Sequence, residues 1–277
     1  MSDSLNFVHI QKGTMDFLNQ NGNSPLQTSP TIERVSSTSN SGNSGKFIGA
    51  SLLCFSVDPQ YNRVYFLLGQ EKKTFRWPQG SERFSDFGGA CQNSSESPEH
   101  AAAREFAEET LGMVKYFESD TIPRTEFYDI VSSLFRKEYI FKIIIGYNKK
   151  NYVVFLKQIP WDPECTYRFD ACRGMLMNPN VFVGTPKWEQ LLSKSRAFRQ
   201  ITDLLGNTHL IVNKNYVEKK KLAYFSIPQL QFAVENNGIL AKKNGIIDRC
   251  RGSFVQIIEL VLCELTFVDP NNYNSDD

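Results

Sequence analysis

Glu105, Glu108 and Glu109 crowd three carboxylates into five consecutive residues, directly after Arg104. Seven residues separate Arg104 from Glu96, and the glycine pair Gly88-Gly89 comes shortly before that. On a helix, Glu105 has Glu108 and Glu109 as its i+3 and i+4 neighbours, with Cβ atoms about 5–6 Å apart. Like charges at that spacing repel by a few tenths of a kcal/mol per pair, so a cation should sit among them. Arg104 supplies a fixed positive charge but cannot chelate. A hard divalent ion takes one or two carboxylates and completes its shell with water and phosphate oxygens. The chemistry this pattern could do is metal-assisted attack of water on a phosphate. The competing account is a solvated helix face rich in Glu, which is common; Glu96, the glycines and a capped helix start weigh against it.

The helix itself is legible. Ser97 is a suitable N-cap, Pro98 fits the first helical position where no N–H is needed, and Gly112 is a natural stop, so the helix is predicted from Pro98 to Leu111. Ala103, Phe106, Ala107 and Thr110 recur at helical spacing as a small-residue stripe suited to lie on a sheet. The opposite face carries the charge.

These residues resemble the Nudix box: Gly, five residues, Glu, seven residues, then Arg-Glu-apolar-x-Glu-Glu-x-Gly. The spacing from Glu96 to Arg104 and the core Arg104-Glu105-Phe106-Ala107-Glu108-Glu109 match residue for residue. The edges do not. The family glycines fall at Ala90 and Leu111, whereas this chain has Gly89 and Gly112. The resemblance implies a divalent-metal-dependent hydrolase that cleaves the pyrophosphate linkage of a nucleoside diphosphate linked to another moiety. It implies Glu105 and Glu109 as principal ligands of Mg²⁺ or Mn²⁺, Glu108 as a further ligand or base, and a backbone ligand at Gly89. Arg104 would orient Glu105, with Glu96 bracing Arg104. Glu218 would be an outlying carboxylate, ligand or general base; its plainer account is an exposed Glu beside three lysines.

Elements on both sides must position this helix. Phe47–Phe55 and Arg63–Gly69 read as a hairpin, and Phe84–Gly89 as a short strand leading into the box. Helical character is expected over Thr125–Arg136, a second hairpin at Tyr139–Ile145 and Tyr152–Lys157, a helix over Pro186–Leu205, and an amphipathic helix over Ile247–Leu265 with Phe254, Ile257, Ile258, Val261 and Leu262 on one side. The fold class this predicts is α+β, a Nudix-like α/β/α sandwich around a mixed sheet. Residues 1–45 are rich in Ser, Asn, Thr and Gln and read as a disordered tail. Residues 46–268 read as the catalytic domain, with an insertion at about 160–215 suited to be a substrate lid, and residues 269–277 as a flexible end.

A net charge of +1 excludes wholesale electrostatic wrapping of nucleic acid. The lysine clusters, including Lys219-Lys220-Lys221, read as solvated turns or helix ends. Six scattered cysteines, without a secretory pattern, read as reduced thiols, and no apolar run reaches bilayer length. An intracellular, cytoplasmic protein without membrane contact is the expectation. Trp77 and Tyr224 are candidates to stack on a substrate base, each with a core role as the alternative. The expected partner is a small nucleotide or other pyrophosphate. A catalytically inactive Nudix-fold module that binds a nucleotide or protein stays open, as does an enzyme processing the RNA cap or 5′ end. Arg76-Trp77-Pro78-Gln79-Gly80 superficially matches the decapping motif, but it is out of register with the box.

Overall fold

A computed structural model describes residues 31–34, 46–73, 80–117, 127–147, 150–177, 198–202, 204, 208–212, 214–243 and 246–265. Its centre is β2 (Lys46–Asp58), an apolar run that is buried on both faces. Ala50, Leu52 and Cys54 point to one side of the sheet, and Leu53 and Phe55 to the other. The chain turns back as β3 (Arg63–Glu71), then returns as the short strands β4 (Phe84–Ser85) and β5 (Phe87–Ala90). β3 pairs with Cys54–Asp58 of β2 and β5 with Gly49–Leu52, so β5 takes the place beside β2 that β3 vacates. The box helix, α1 (Pro98–Glu109), follows β5 directly.

Past α2 (Phe127–Phe135), β6 (Phe141–Tyr147) and β7 (Lys150–Gln158) form the second hairpin. β7 lies parallel to β2, which makes the sheet mixed. α3 (Cys165–Met177), the hairpin of β8 (Phe198–Thr202) and β9 (Thr208–Val212), and a 3₁₀ turn at Lys214–Val217 lead to β10 (Lys219–Ser226), which pairs with β3. α4 (Ile227–Glu235), the hairpin of β11 (Ile239–Lys243) and β12 (Ile246–Arg249), and α5 (Gly252–Glu264) complete the described chain. With β1 (Thr31–Arg34) on β6, the sheet runs β1-β6-β7-β2-β3-β10.

Helices cover both faces. Ala101, Ala102, Ala103 and Phe106 of α1 join Ile130 and Leu134 of α2 and Phe169 of α3 in one apolar cluster. Leu230 of α4 and Phe254, Ile257 and Ile258 of α5 form the other. Each fully buried side chain of this size contributes about 1.5–3 kcal/mol, so the sheet is held from both sides. This is the α/β/α sandwich that the sequence leads one to expect. All six cysteines are free thiols.

Several expectations need correction. Thr31–Arg34, within the stretch read as a tail, forms edge strand β1, its backbone paired with Phe141–Ile144; the rest of residues 1–45 lies outside the described residues. Cys165–Met177, within the expected insertion, is a core helix: Cys165, Phe169, Cys172 and Leu176 recur at helical spacing and are buried. Of the helix expected over Pro186–Leu205, residues 198–202 are a strand paired with β9, and residues 186–197, 203 and 205 lie outside the described residues. Ile246–Arg249 is likewise a strand, with the helix starting only at Gly252. The Asn244-Gly245 pair between two apolar runs was the sequence signal for that hairpin.

The shifted glycine at the end of α1 also has a structural account. Leu111 and Gly112 both adopt left-handed backbone, at φ +57° and +66°. Leu111, at the family's glycine position, is buried in the core. A Cβ on Gly112 would meet nothing within 4 Å. Gly112→Ala should therefore cost about 1–2 kcal/mol through backbone strain alone. A Cβ on helical Gly174 also meets nothing within 4 Å, so Gly174→Ala should stabilise by up to about 1 kcal/mol. Urea unfolding of both variants checks the opposite signs.

Candidate functional site

The site forms where β5 crosses α1, and glycine makes the crossing possible. A Cβ on Gly89 would stand 2.3 Å from Glu105 Oε1, and one on Gly88 would stand 2.2 Å from Ser51 Cβ. The missing side chain of Gly89 thus makes room for the Glu105 carboxylate. Its carbonyl lies against Gly49, where a Cβ would meet it at 2.4 Å. Ala90, at the family's glycine position, gives its carbonyl to Arg104 Nη2 at 3.0 Å.

Arg104 ties the box together. Its Nε donates to Glu96 Oε1 at 2.9 Å, Nη1 donates to Glu105 Oε1 at 2.7 Å, and Glu108 Oε2 lies 3.6 Å from Nη1. Glu96 also closes its own loop by accepting from the Gln92 N–H at 2.6 Å. At the head of α1, the Ser97 hydroxyl caps the helix by accepting from the His100 N–H at 3.2 Å. Burial opposes ionisation of Arg104, but its bonds to Glu96 and Glu105 raise the pKa further above its ordinary value.

The charged face of α1 is not solvated. Glu108 is 9% exposed and Glu109 3%. Glu109 Oε2 accepts from the Gly88 N–H at 2.9 Å, and Oε1 lies 3.2 Å from Lys219 Nζ. Lys219 is 1% exposed, and its Nζ also donates to Glu71 Oε1 at 2.7 Å, Ser85 Oγ at 3.0 Å and the Asp86 carbonyl at 3.2 Å. Burial pulls the ammonium down, but Glu109 and Glu71 more than offset it, so Lys219 is raised and charged. Burial, with Glu71 and Glu105 adding, pushes Glu109 up, and Lys219 opposes it. Beside an ammonium held positive by two carboxylates, Glu109 is the ionised partner of a buried ion pair.

Sequence reading missed Lys219, Glu71, Ser85 and Asp86. Lys219 stood in a lysine run read as a solvated turn; strand geometry instead sends Lys219 inward while Lys220 reaches Glu82 at 3.0 Å on the surface. Asp86 is buried, accepts from the Ser51 hydroxyl and is raised by burial. Glu218 is partly exposed beside the box: burial and then Glu105 raise its pKa, and Glu108 feels its charge. Of the two aromatic candidates, Trp77 lies outside the described residues. Tyr224 packs on Trp161 with ring centroids 4.8 Å apart and donates its hydroxyl to the Asp162 carbonyl at 3.3 Å, so its polar end is used internally.

All-oxygen carboxylate donors fit a hard ion such as Mg²⁺ or Mn²⁺. Among the described residues no three His, Cys, Asp or Glu close into a ready cage. Glu105, Glu108 and Glu218 are near enough to feel one another's charge, with Glu108 buried and Glu218 exposed, so they would make an incomplete rim at which water and phosphate oxygens complete the shell of an ion. Across β5 lies a cavity of about 730 Å³, lined by Asp86, Tyr152, Arg251, Phe254, Ile257 and Leu260, with Gly88 and Gly89 as the wall shared with the carboxylates.

Glu108 gives the apo site a pH signature. Burial, with Glu105 adding and Arg104 opposing, pushes its carboxyl from 4.5 up to about 6. The folded state therefore favours the proton. This contribution to stability is fully present below the unfolded value and is lost as pH rises through the folded one. In EDTA, Glu108→Gln should be stabilised over the parent at about pH 8 by about 1 kcal/mol, after discounting for screening at the open rim, with the gap closing by about pH 4. Thermal melts across that range check it; a pH-independent gap would refute it.

No protein-family model and no curated protein matches this chain. Among solved structures, 34 chains match. A MutT/Nudix family protein from Enterococcus faecalis is 14% identical at a TM-score of 0.28, with 64% of this chain and 42% of that one covered. A C. elegans Ap4A hydrolase is 12% identical at 0.32, covering 77% and 97%. The Nudix domain of Shewanella oneidensis NrtR, solved with ADP ribose, is 9% identical at 0.33, covering 78% and 86%. Such distant likenesses assign no activity. The Glu96-to-Glu109 box on a capped helix, laid on a mixed sheet that helices cover on both faces, makes this a protein of Nudix-like fold.

Proposed function

We propose that this chain is a divalent-metal-dependent hydrolase that cleaves the pyrophosphate linkage of a nucleoside diphosphate linked to another moiety. What supports it is the set of Glu105, Glu108 and Glu218, whose carboxylates feel one another's charge, with Arg104 bonded to Glu105 and 3.6 Å from Glu108. Glu105 and Glu108 would hold Mg²⁺ or Mn²⁺, with Glu218 opposite and Glu109 completing the acidic set. When bound, the ion supplies charge neutralisation at the phosphate oxygens and activation of water. Glu108 would serve as a further ligand or as the base, and Glu218, raised by burial and Glu105, is the alternative base. Arg104 holds Glu105 in place, and Glu96 fixes Arg104. Six free thiols suit a cytoplasmic setting, and among the described residues no helix is long and apolar enough to cross a membrane.

A non-catalytic nucleotide-binding module is the second reading, and one observation favours it: two fixed cations, Arg104 and Lys219, already sit among the carboxylates. A panel of nucleotide sugars, dinucleoside polyphosphates, nucleoside triphosphates, diphosphoinositol phosphates and capped RNA, incubated with Mg²⁺ or Mn²⁺ and read by mass, separates the two. The hydrolase reading expects cleaved products, a loss of about a hundredfold or more in Glu105→Gln, and a comparable loss in Gly89→Ala, whose Cβ would displace Glu105. Binding without turnover, unaffected by Glu105→Gln, would leave the module.

A further inference from the structure

We infer that Lys219 is the resident cation of this site, and that Glu109 serves as its counter-ion rather than as a ligand of a divalent ion. This rests on the metal-site reading above and divides the labour within it. Four oxygens lie 2.7–3.2 Å from Lys219 Nζ, those of Glu71, Ser85, Asp86 and Glu109. An ammonium has only three N–H groups, so this shell resembles that of a small bound cation. The stem is fitted as closely as the head: a Cβ on Gly69 would come within 2.8 Å of Lys219 Cδ.

Both oxygens of Glu109 are engaged from inside, Oε1 by Lys219 and Oε2 by the Gly88 N–H. A divalent ion seated on Glu109 would lie against a buried ammonium, with no solvent between them to screen the repulsion. Glu105 and Glu108 also have a cation beside them, Arg104 at 2.7 and 3.6 Å, but they keep side-chain exposure of 12% each against 3% for Glu109, and Glu218 is more open. The geometry therefore directs an incoming ion to the rim and leaves Glu109 behind it. Lys219 is a positioning residue: enclosed by its four acceptors, it touches no reacting atom but fixes α1 against β5. The site should then need one divalent ion fewer than a set of carboxylates lacking an internal ammonium.

Two measurements on the full chain test this. Mn²⁺ titrations followed by electron paramagnetic resonance should give Glu109→Gln the same number of bound ions as the parent, with affinity unchanged within about threefold, against a loss of about tenfold or more in Glu105→Gln. Loss of an ion in Glu109→Gln, or weakening equal to that of Glu105→Gln, overturns the inference. Thermal melts in EDTA of Glu109→Gln, Lys219→Met and the double variant should be strongly non-additive, as expected of an ion pair; additive shifts overturn it. If Lys219→Met does not fold, the Glu109→Gln titration decides alone. If the parent binds no Mn²⁺, the metal-site reading fails, and the melts separately decide whether Lys219 and Glu109 are partners.

Discussion

A buried ammonium needs more than one compensating oxygen, and Lys219 has four. Taking such a charge out of water costs several kcal/mol, recovered only where geometry and hydrogen bonding are both good. Here the compensation comes from β3 through Glu71, from β4 and the residue after it through Ser85 and Asp86, and from α1 through Glu109. One side chain on β10 therefore ties its own strand to three other segments, β3, β4 and α1. Glu71 also lies 3.6 Å from Arg251 at the head of α5, which extends the tie toward the opposite helical layer.

The acidic helix can be buried against a sheet only because of this arrangement. Without internal cations, Glu105, Glu108 and Glu109 would repel each other in a low dielectric and resist ionisation. Arg104 answers two of them from the loop side and Lys219 answers the third from within. What remains is a set of carboxylates whose charges are already compensated in part within the fold. The glycines are the steric counterpart of this electrostatic design: Gly69 admits the Lys219 stem, Gly88 admits the sheet, and Gly89 admits Glu105.

Local signals in the sequence were strong where capping, period and spacing agreed. Ser97 and Pro98 set the start of α1, and apolar runs bounded by turn residues set β2, β3, β6 and β7. Signals failed where the period was read over the wrong window. The α3 stripe of Cys165, Phe169, Cys172 and Leu176 is interrupted by Arg168, Asp170 and Arg173, and so looked irregular. β12 was absorbed into the following helix because both are apolar. β1 escaped notice because an edge strand of four residues gains its order from backbone pairing to β6, which no local pattern announces.

By itself the sequence determined the carboxylate helix, its cap, the glycines before it and the mutual spacing of Glu96, Arg104 and Glu105, because these depend on contacts within a few turns of chain. Only the tertiary structure decided which carboxylate meets which cation. Lys219 and Glu109 are 110 positions apart, and a lysine in a run of three carries no mark of which way a strand will turn it. Burial reverses the meaning of such a residue: on the surface it is a solvated charge of little consequence, and in the interior it becomes the cation around which the site is built.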